Sequence, residues 1–179
     1  EIDIAELADF LRFGVWGAQE IFGDQPASSA GVWNRQDYRP LDGFICAISP
    51  FNFTSIGGNL PTAPAIVGNV AVWKPSRTAV LSNYYYMKLL QWCGLPGGVI
   101  NFVPCSGSDM SQYVVSHPKM AGFHFTGSTA VFQSVWKQVG ENIASYSNYP
   151  RLVGETGGKD FIFAHATADI EPLAAAIVR

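Results

Sequence analysis

The chain has 179 residues, of which 48% are hydrophobic and 14% are charged, and its net charge is −3. The charged share is well below the ~25% usual for a globular domain, which predicts surface that belongs against other protein, either more of the same chain or a partner subunit. The sequence has no basic run that would mark nucleic-acid binding, and no apolar run approaches the ~20 residues of a membrane span.

The cysteines and the two ends of the chain give further expectations. Cys46, Cys93 and Cys105 are odd in number and irregularly spaced, which argues against a disulfide framework and favours a reducing compartment. The first residue, Glu1, opens no signal-peptide pattern, and the last segment resembles a helix in mid-course without a stop signal. We therefore expect an internal piece of a longer protein.

The first predicted elements are a helix and two strands. Apolar residues at helical spacing predict a helix over residues 3–22, with Asp3 able to cap its start. A polar loop follows over 24–30. Strands are predicted over 32–38 and 44–49, on either side of a turn at 40–43.

From residue 55 onward, helices and short apolar strands alternate. Helices are predicted over 55–67, 78–92, 108–116 (capped by Ser108 or Asp109) and 128–146, with a last one from Asp169; strands are predicted over 70–73, 99–103, 121–125, 151–155 and 161–164. This order predicts an α/β fold with a mostly parallel, Rossmann-like sheet and flanking helices. Ligands bind such sheets at the carboxyl ends of the strands, so the residues after each strand are the most informative.

Two polar residues follow the first predicted strands of this sheet. Asn52, in the segment Pro50-Phe51-Asn52-Phe53, could donate hydrogen bonds to a developing oxyanion, and Lys74 could reach a ribose hydroxyl or a phosphate. Taken alone, an Asn in a turn and a solvated surface Lys are the more common interpretations.

Two glycine-containing turns follow the later strands. The turn Thr126–Val131 opens a long helix, whose free N–H groups suit a pyrophosphate, although a plain helix cap is about as probable when this turn is taken alone. Glu155 precedes Thr156-Gly157-Gly158-Lys159 and could act as a general base, or be a solvated carboxylate in a glycine-rich turn. Each signal is weak, but their order along the chain is informative.

These ordered motifs resemble those of the aldehyde dehydrogenase family. The resemblance covers essentially the whole chain and rests on Pro50–Phe53, Gly68-Asn69 through Lys74-Pro75-Ser76, Phe125–Ser128 and Glu155–Lys159. Finer features resemble the branch that oxidises glutamate γ-semialdehyde to glutamate with NAD in proline breakdown. They are the segments 48–54, 57–60, 135–139 and 149–155.

The resemblance implies a role for each motif residue. Asn52 would be the oxyanion donor and Glu155 the general base. The dinucleotide would be held by Ser49, Lys74, Ser76, Gly127, Ser128, Thr129, Ala130 and Val131. Phe53 would line the substrate pocket, with Glu20 of the first helix near it, and no metal is expected.

The resemblance also implies a domain organisation. Residues 1–30 would be the N-terminal helix and loop of the cofactor domain, 31–43 a hairpin region through which such enzymes form homo-oligomers, and 44–179 the NAD-binding domain. Relatives carry the nucleophilic Cys a few dozen residues after the Glu, so this piece is expected to lack activity alone. The location would be the mitochondrial matrix in a eukaryote or the cytoplasm in a bacterium.

Three residues depart from the family pattern. Phe132 stands where many relatives have Gly, Thr156 replaces a common Leu, and Arg77 occupies a position that is often acidic. An acidic residue near the adenosine ribose favours NAD, whereas an Arg accommodates a 2′-phosphate, so NAD is expected and NADP stays open. The alternatives are an aldehyde dehydrogenase for another substrate and a non-catalytic dinucleotide-binding protein.

Overall fold

The structure, a computed structural model, describes residues 1–178 and contains one parallel sheet. Its five strands lie in the order β3-β2-β1-β4-β5, and every neighbouring pair is parallel. The strands are β1 Phe44–Ile48, β2 Val70–Lys74, β3 Ile100–Phe102, β4 Met120–Gly127 and β5 Arg151–Thr156. The predicted Rossmann-like α/β fold is confirmed.

Helices connect the strands and cover both faces of the sheet. They are α1 Ile2–Gly23, α2 Thr54–Ile66, α3 Val80–Trp92, α4 Gly107–Asp109 with a π-helical continuation over Met110–Val115, α5 Thr129–Glu141 and α6 Ile170–Val178. Short 3-10 turns lie at Arg77–Ala79 and Ile143–Ser145.

Two apolar cores lie on opposite faces of the sheet because neighbouring side chains of a strand point in opposite directions. Cys46 of β1 belongs to the core that α5 closes, and Ala47 belongs to the core that α1, α2 and α3 close. The chain therefore leaves β1 for one face and leaves β4 for the other, which opens a crevice between those strands.

Helix α2 contains Pro61 and Pro64, yet it is continuous. Since Pro64 has no N–H, the carbonyl of Leu60 loses its usual helical donor. His124 of β4 fills that place, with Nδ1 2.9 Å from the Leu60 oxygen. Burial lowers the pKa of His124 and outweighs this hydrogen bond, which acts to raise it. The lowered pKa favours the neutral ring, whose Nδ1–H donates to Leu60.

Two predicted strands are wrong. Residues 32–38 contain only an isolated bridge between Ser29 and Val32, and residues 161–164 are irregular. Both segments are apolar enough for strands, but neither finds a partner strand among the described residues. A strand needs such a partner to satisfy its backbone hydrogen bonds.

Two predicted helix boundaries also change. The short helix is capped by Ser106, whose Oγ accepts from the N–H of Asp109 at 3.0 Å, and not by Ser108 or Asp109. Helix α5 starts after Ser128 as predicted but ends at Glu141, before the predicted end at 146. In the last predicted helix, residue 179 lies outside the described residues.

Large apolar side chains remain on the surface, as the low charge predicts. Trp92 is 85% exposed and Phe163 is 87% exposed, and further examples lie on α1. Among residues 1–178, no helix has the length and hydropathy to cross a bilayer.

The Phe132 ring of α5 packs against Gly154 of β5, which has no side chain. Its ring stacks on Phe125 at 5.8 Å between centroids and on Phe123 at 6.4 Å. A Cβ added to Gly154 of β5 would clash with the Phe132 ring, so the aromatic ring occupies the space that the glycine leaves. Phe132, which stands where the family pattern has Gly, is thus accommodated because Gly154 has no side chain.

Replacing Gly154 with Ala should therefore lower the free energy of unfolding by about 1–3 kcal/mol, the usual cost of overpacking a core. Gly140→Ala is the matched control, because a Cβ there meets no atom within 4 Å and helix α5 tolerates Ala. Denaturant titration of both variants checks this. Equal stability of G154A and G140A would contradict the packing argument.

Candidate active site

The sheet register brings the predicted site residues into one row. Ile48 of β1 lies level with Lys74 of β2 and with Phe125 of β4, and Thr126 lies level with Glu155 of β5. The segments that follow these positions therefore leave the sheet along the same edge.

These segments enclose a cleft of about 700 Å³. Its lining includes the following predicted site residues: Ser49, Asn52, Phe53, Lys74, Ser76, Gly127, Ser128, Val131 and Glu155. The expected convergence of Asn52, Lys74, Ser128 and Glu155 is confirmed. Thr129 and Ala130 begin α5 just behind the lining, and Glu20 lies exposed on α1 outside the cleft.

Asn52 lies on the loop that joins β1 to α2. Its side chain is exposed toward the cleft, and its neighbours Phe51 and Phe53 are 71% and 46% exposed. This loop thus presents an amide donor between two aromatic rings. That arrangement suits a small substrate with both polar and apolar parts.

Asp3 caps the helix that follows this loop. Phe53 at the N-cap position of α2 supplies no side-chain acceptor, but the Asp3 carboxylate accepts from the N–H groups of Thr54 at 3.0 Å and Ser55 at 2.9 Å. The sequence prediction placed this cap on α1 instead. Burial acts to raise the pKa of Asp3, but the hydrogen bonds from Ser55 and Thr54 outweigh it, so the pKa is lowered.

Lys74 and Ser49 form the buried floor of the cleft. Lys74 is only 9% exposed, and its Nζ donates to the carbonyl of Pro75 at 3.2 Å. The Ser49 hydroxyl accepts from the Trp73 indole at 3.0 Å, and its N–H donates to the Lys74 carbonyl. Ser49 therefore links the end of β1 to Trp73 and Lys74 of β2, while its hydroxyl hydrogen stays available to donate.

The N-terminus of α5 points into the same cleft. Ser128 is its N-cap, and the Ser128 hydroxyl accepts from the N–H of Val131 at 3.4 Å. The N–H groups of Thr129 and Ala130, in the first helical turn, have no acceptor within the helix. With the helix dipole, this end favours an anion.

Gly157 brings the Glu155 turn against this helix end. Its φ is +61°, a conformation that favours glycine, and a Cβ there would lie 3.3 Å from Oγ1 of Thr129. Glu155 is exposed at the cleft, on the side opposite Lys74 in the sheet order. The carboxylate thus faces the cleft across the anion-favouring helix end.

A second hollow of about 410 Å³ adjoins the cleft between the π-helical turn and α5. It shares Ile48, Lys74 and Val131 with the cleft. Gln138 of α5 fixes its walls, because its amide donates to the Ser111 carbonyl at 2.9 Å and accepts from the Ser111 hydroxyl at 2.6 Å. The width between the helices is therefore set by a hydrogen-bonded pair.

None of the described cysteines is placed as a nucleophile. Cys46 is fully buried in the sheet, and burial raises the pKa of its thiol to about 12. Burial also raises the pKa of Cys105, and Cys93 lies exposed at the end of α3. None of them lines the cleft, which agrees with their interpretation as structural residues.

Sequence reasoning missed part of the lining. Ile56 and the hollow's Ser111, Ser134 and Gln138 were not predicted. Ile56 could have been found because it lies close to the strand-end motif Pro50–Phe53. The hollow could not have been found, since it depends on how two helices pack.

Among residues 1–178, no group of three or more His, Cys, Asp or Glu side chains is placed to hold a metal ion.

A parallel sheet with an amide, a buried lysine, a helix N-terminus and a carboxylate at one crevice defines a Rossmann-like domain whose strand-end crevice suits an anionic ligand. The model of the aldehyde dehydrogenase family matches residues 1–179. The chain belongs to this family.

The relatives with high similarity share one name. The chain is 57% identical to the Delta-pyrroline-5-carboxylate dehydrogenase from Mycobacterium tuberculosis, solved bound with NAD; the two superpose with a TM-score of 0.91 over 97% of this chain and 32% of that one. It is 53% identical over 172 residues to Delta-1-pyrroline-5-carboxylate dehydrogenase of Agaricus bisporus, covering 95% of this chain and 31% of the relative. Identity to the mitochondrial Homo sapiens enzyme of that name is 48% over 180 residues, covering 100% of this chain and 32% of the relative. The chain thus spans about a third of the length of the relatives it matches.

Replacing Asp3 with Ala should destabilise the protein by about 0.5–2 kcal/mol at pH 7, the usual cost of losing a helix cap. Because the folded-state pKa of Asp3 is lowered, its stabilisation is present above the ordinary value of 3.8 and is lost as pH falls through the folded-state pKa. Urea titrations at pH 7 and in acid measure this.

Asp9→Ala on the same helix is the control, since Asp9 makes only an exposed pair with Arg12. A wild-type advantage over D3A that stays constant down to the lowest pH at which both proteins fold would contradict the cap assignment.

Proposed function

We propose that this chain is the cofactor-binding part of an NAD-dependent dehydrogenase that oxidises L-glutamate γ-semialdehyde to L-glutamate in proline catabolism. The observation that carries this proposal is the single cleft shared by Asn52, Lys74, the N-terminus of α5 and Glu155. Family membership and the shared name of the relatives support the choice of reaction and substrate.

The residues at the cleft fit a dinucleotide. The anion-favouring end of α5, with Ser128 and Gly127, suits a diphosphate, and Lys74 adds a buried positive charge beside it. The adjoining hollow of about 410 Å³, whose walls Gln138 fixes, is large enough for an aromatic base. The related Mycobacterium tuberculosis enzyme was solved with NAD, which supports NAD as the cofactor here. When bound, the nicotinamide ring accepts a hydride.

Asn52 and Glu155, which both line the cleft, are proposed to be the catalytic residues of this chain. A thiolate from a part of the protein other than the three described cysteines attacks the aldehyde carbon, and the Asn52 amide donates to the oxygen that becomes negative. Glu155 takes the proton of the attacking thiol. After oxidation leaves a thioester, Glu155 removes a proton from the water that hydrolyses it.

The substrate assignment rests on the relatives and on the rim of the cleft. Phe53, which is 46% exposed at the cleft, is proposed to contact the aliphatic part of the semialdehyde. Glu20 was expected near the substrate; its exposed position on α1 outside the cleft gives that role no support, and it stays a prediction.

Two further properties follow from the same proposal. The exposed segment 31–43, in which Trp33 is 77% exposed, is proposed to contribute to homo-oligomer contacts. The location is proposed to be the mitochondrial matrix if the source is a eukaryote, in line with the names of eukaryotic relatives, and the cytoplasm if it is a bacterium.

Glu155→Gln should reduce turnover of the full-length protein to near background, because an amide cannot accept the proton of thiol or water. Binding of NAD should change little, since Glu155 lies away from Lys74 in the sheet order. Steady-state kinetics and calorimetric NAD titration separate the two effects. Glu171→Gln, an exposed change on α6, is the matched control, and wild-type turnover by E155Q would contradict the assigned role.

Asn52→Ala should lower kcat by about 10²–10³, the usual effect of losing one oxyanion donor. The measurement compares glutamate γ-semialdehyde with simple aliphatic aldehydes in wild type and variant. A similar fold loss on each substrate supports an effect on the reacting carbonyl. Preferred turnover of an aliphatic aldehyde by the wild type would favour a dehydrogenase of other specificity, and binding of NAD without any turnover would favour a non-catalytic protein.

A further inference from the structure

The segment that carries Asn52 is anchored at its two ends and not in between. Among residues 1–178, no hydrogen bond within the protein is made by the segment 50–52. On one side, the N–H of Ser49 donates to the last carbonyl of β2 at 3.1 Å. On the other side, the carbonyl of Phe53 accepts from the N–H of Gly57, in the first turn of α2, at 3.1 Å. The place of the Asn52 amide therefore depends on the sheet at one end and on the start of α2 at the other.

The start of α2 is held by α1. Phe53, at the N-cap position of α2, supplies no side-chain acceptor. The Asp3 carboxylate accepts instead from the N–H groups of Thr54 at 3.0 Å and Ser55 at 2.9 Å. Ser55 is fully buried, and its hydroxyl donates to the Glu6 carboxylate at 3.1 Å. Two carboxylates of one helix thus fix the first turn of the other.

Close packing between these two helices determines where Asp3 lies. A Cβ added to Gly58 of α2 would lie 2.6 Å from Cδ1 of Leu7 on α1. Further along, a Cβ added to Gly14 of α1 would lie 2.8 Å from Cδ1 of Ile66 on α2. The cap and these two contacts occur in the same order along both helices, so the helices run side by side in the same direction. Because each glycine admits a side chain of the other helix, the register that delivers the Asp3 carboxylate is fixed by close packing.

We propose that Asp3 is a positioning residue for the oxyanion donor, because its cap on α2 holds the segment 50–53 with the Asn52 amide directed at the reacting carbonyl. The inference rests on the proposed dehydrogenase function, and it adds to the active site a residue that does not line the cleft. Without the carboxylate, two N–H groups at the start of α2 lack an acceptor within the helix. Fraying of that turn then releases the anchor of Asn52 on its α2 side.

Steady-state kinetics of the full-length protein carrying Asp3→Ala, with glutamate γ-semialdehyde as substrate, test the inference. The variant should lower kcat by about tenfold or more, since a misplacement of about 1 Å can cost a reaction about 10²-fold. KM and the calorimetric affinity for NAD should stay within about twofold of wild type, because the positioned amide acts on the oxyanion of the transition state.

Combination with Asn52→Ala distinguishes positioning from general destabilisation. In the N52A background, D3A should change kcat by less than about twofold, because the amide that Asp3 positions is absent. A role in stability alone would lower kcat by the same factor in both backgrounds. Asp3→Asn is the milder second variant, since its amide oxygen can still accept a hydrogen bond. Its loss of kcat should be smaller than that of D3A and should also vanish in the N52A background.

Hydrogen–deuterium exchange gives a measurement that needs no turnover. The main-chain amides of residues 51–56 should exchange faster in D3A than in wild type, at a temperature at which thermal unfolding verifies that both proteins are folded. Asp9→Ala is the matched control. It removes another carboxylate from α1, one that makes only an exposed pair with Arg12, and it should leave kcat and exchange unchanged.

The outcomes separate this inference from the function on which it rests. A kcat of D3A within about twofold of wild type overturns the role of Asp3, as does an equal fold loss in both backgrounds. Unchanged exchange over residues 51–56 in D3A overturns it as well. Each of these results leaves the dehydrogenase function intact. Absence of turnover by the wild-type full-length protein overturns the proposed function itself, and the inference with it.

Discussion

Strand β1 is hydrogen-bonded to β2 on one side and to β4 on the other, and the whole site depends on that central place. The chain leaves β1 toward α2 on one face and leaves β4 toward α5 on the other, so the crevice between their carboxyl ends cannot be filled by either connection. Groups far apart in the sequence share one cleft because they are the first residues beyond this row of strand ends. A shift of β1 by one residue would turn Cys46 and Ala47 to the wrong cores and move Asn52 out of line.

The sequence predicts those features that depend on local pattern. Alternation of apolar strands and long helices was enough to give the parallel sheet, and the rule that ligands bind at strand ends was enough to gather Asn52, Lys74, Ser128 and Glu155. The resemblance to aldehyde dehydrogenases supplied roles that no single motif carries. These predictions succeed because a strand end and a helix start are defined by residues that are neighbours in the chain.

The errors arise where a partner decides the outcome. The segments 32–38 and 161–164 have strand-like composition, but no described strand pairs with them. The sequence predicts that Asp3 caps its own helix, because a cap is usually local. The Asp3 carboxylate instead accepts from the N–H groups of Thr54 and Ser55 at the start of α2. The hollow beside the cleft exists only because Gln138 and Ser111 fix the distance between two helices. No periodicity in the sequence reports such long-range contacts.

The bond between Asp3 and the start of α2 also has a consequence for protein engineering. A chimera that exchanges the first helix with that of a relative would replace the acceptor on which the loop carrying Asn52 depends, even though the exchanged segment contains no residue that lines the cleft. Crossover points for recombination libraries should therefore keep residues 1–6 together with 52–55, because Glu6 also accepts a hydrogen bond from Ser55. In this fold the first helix and the loop that it supports should therefore be exchanged as one unit.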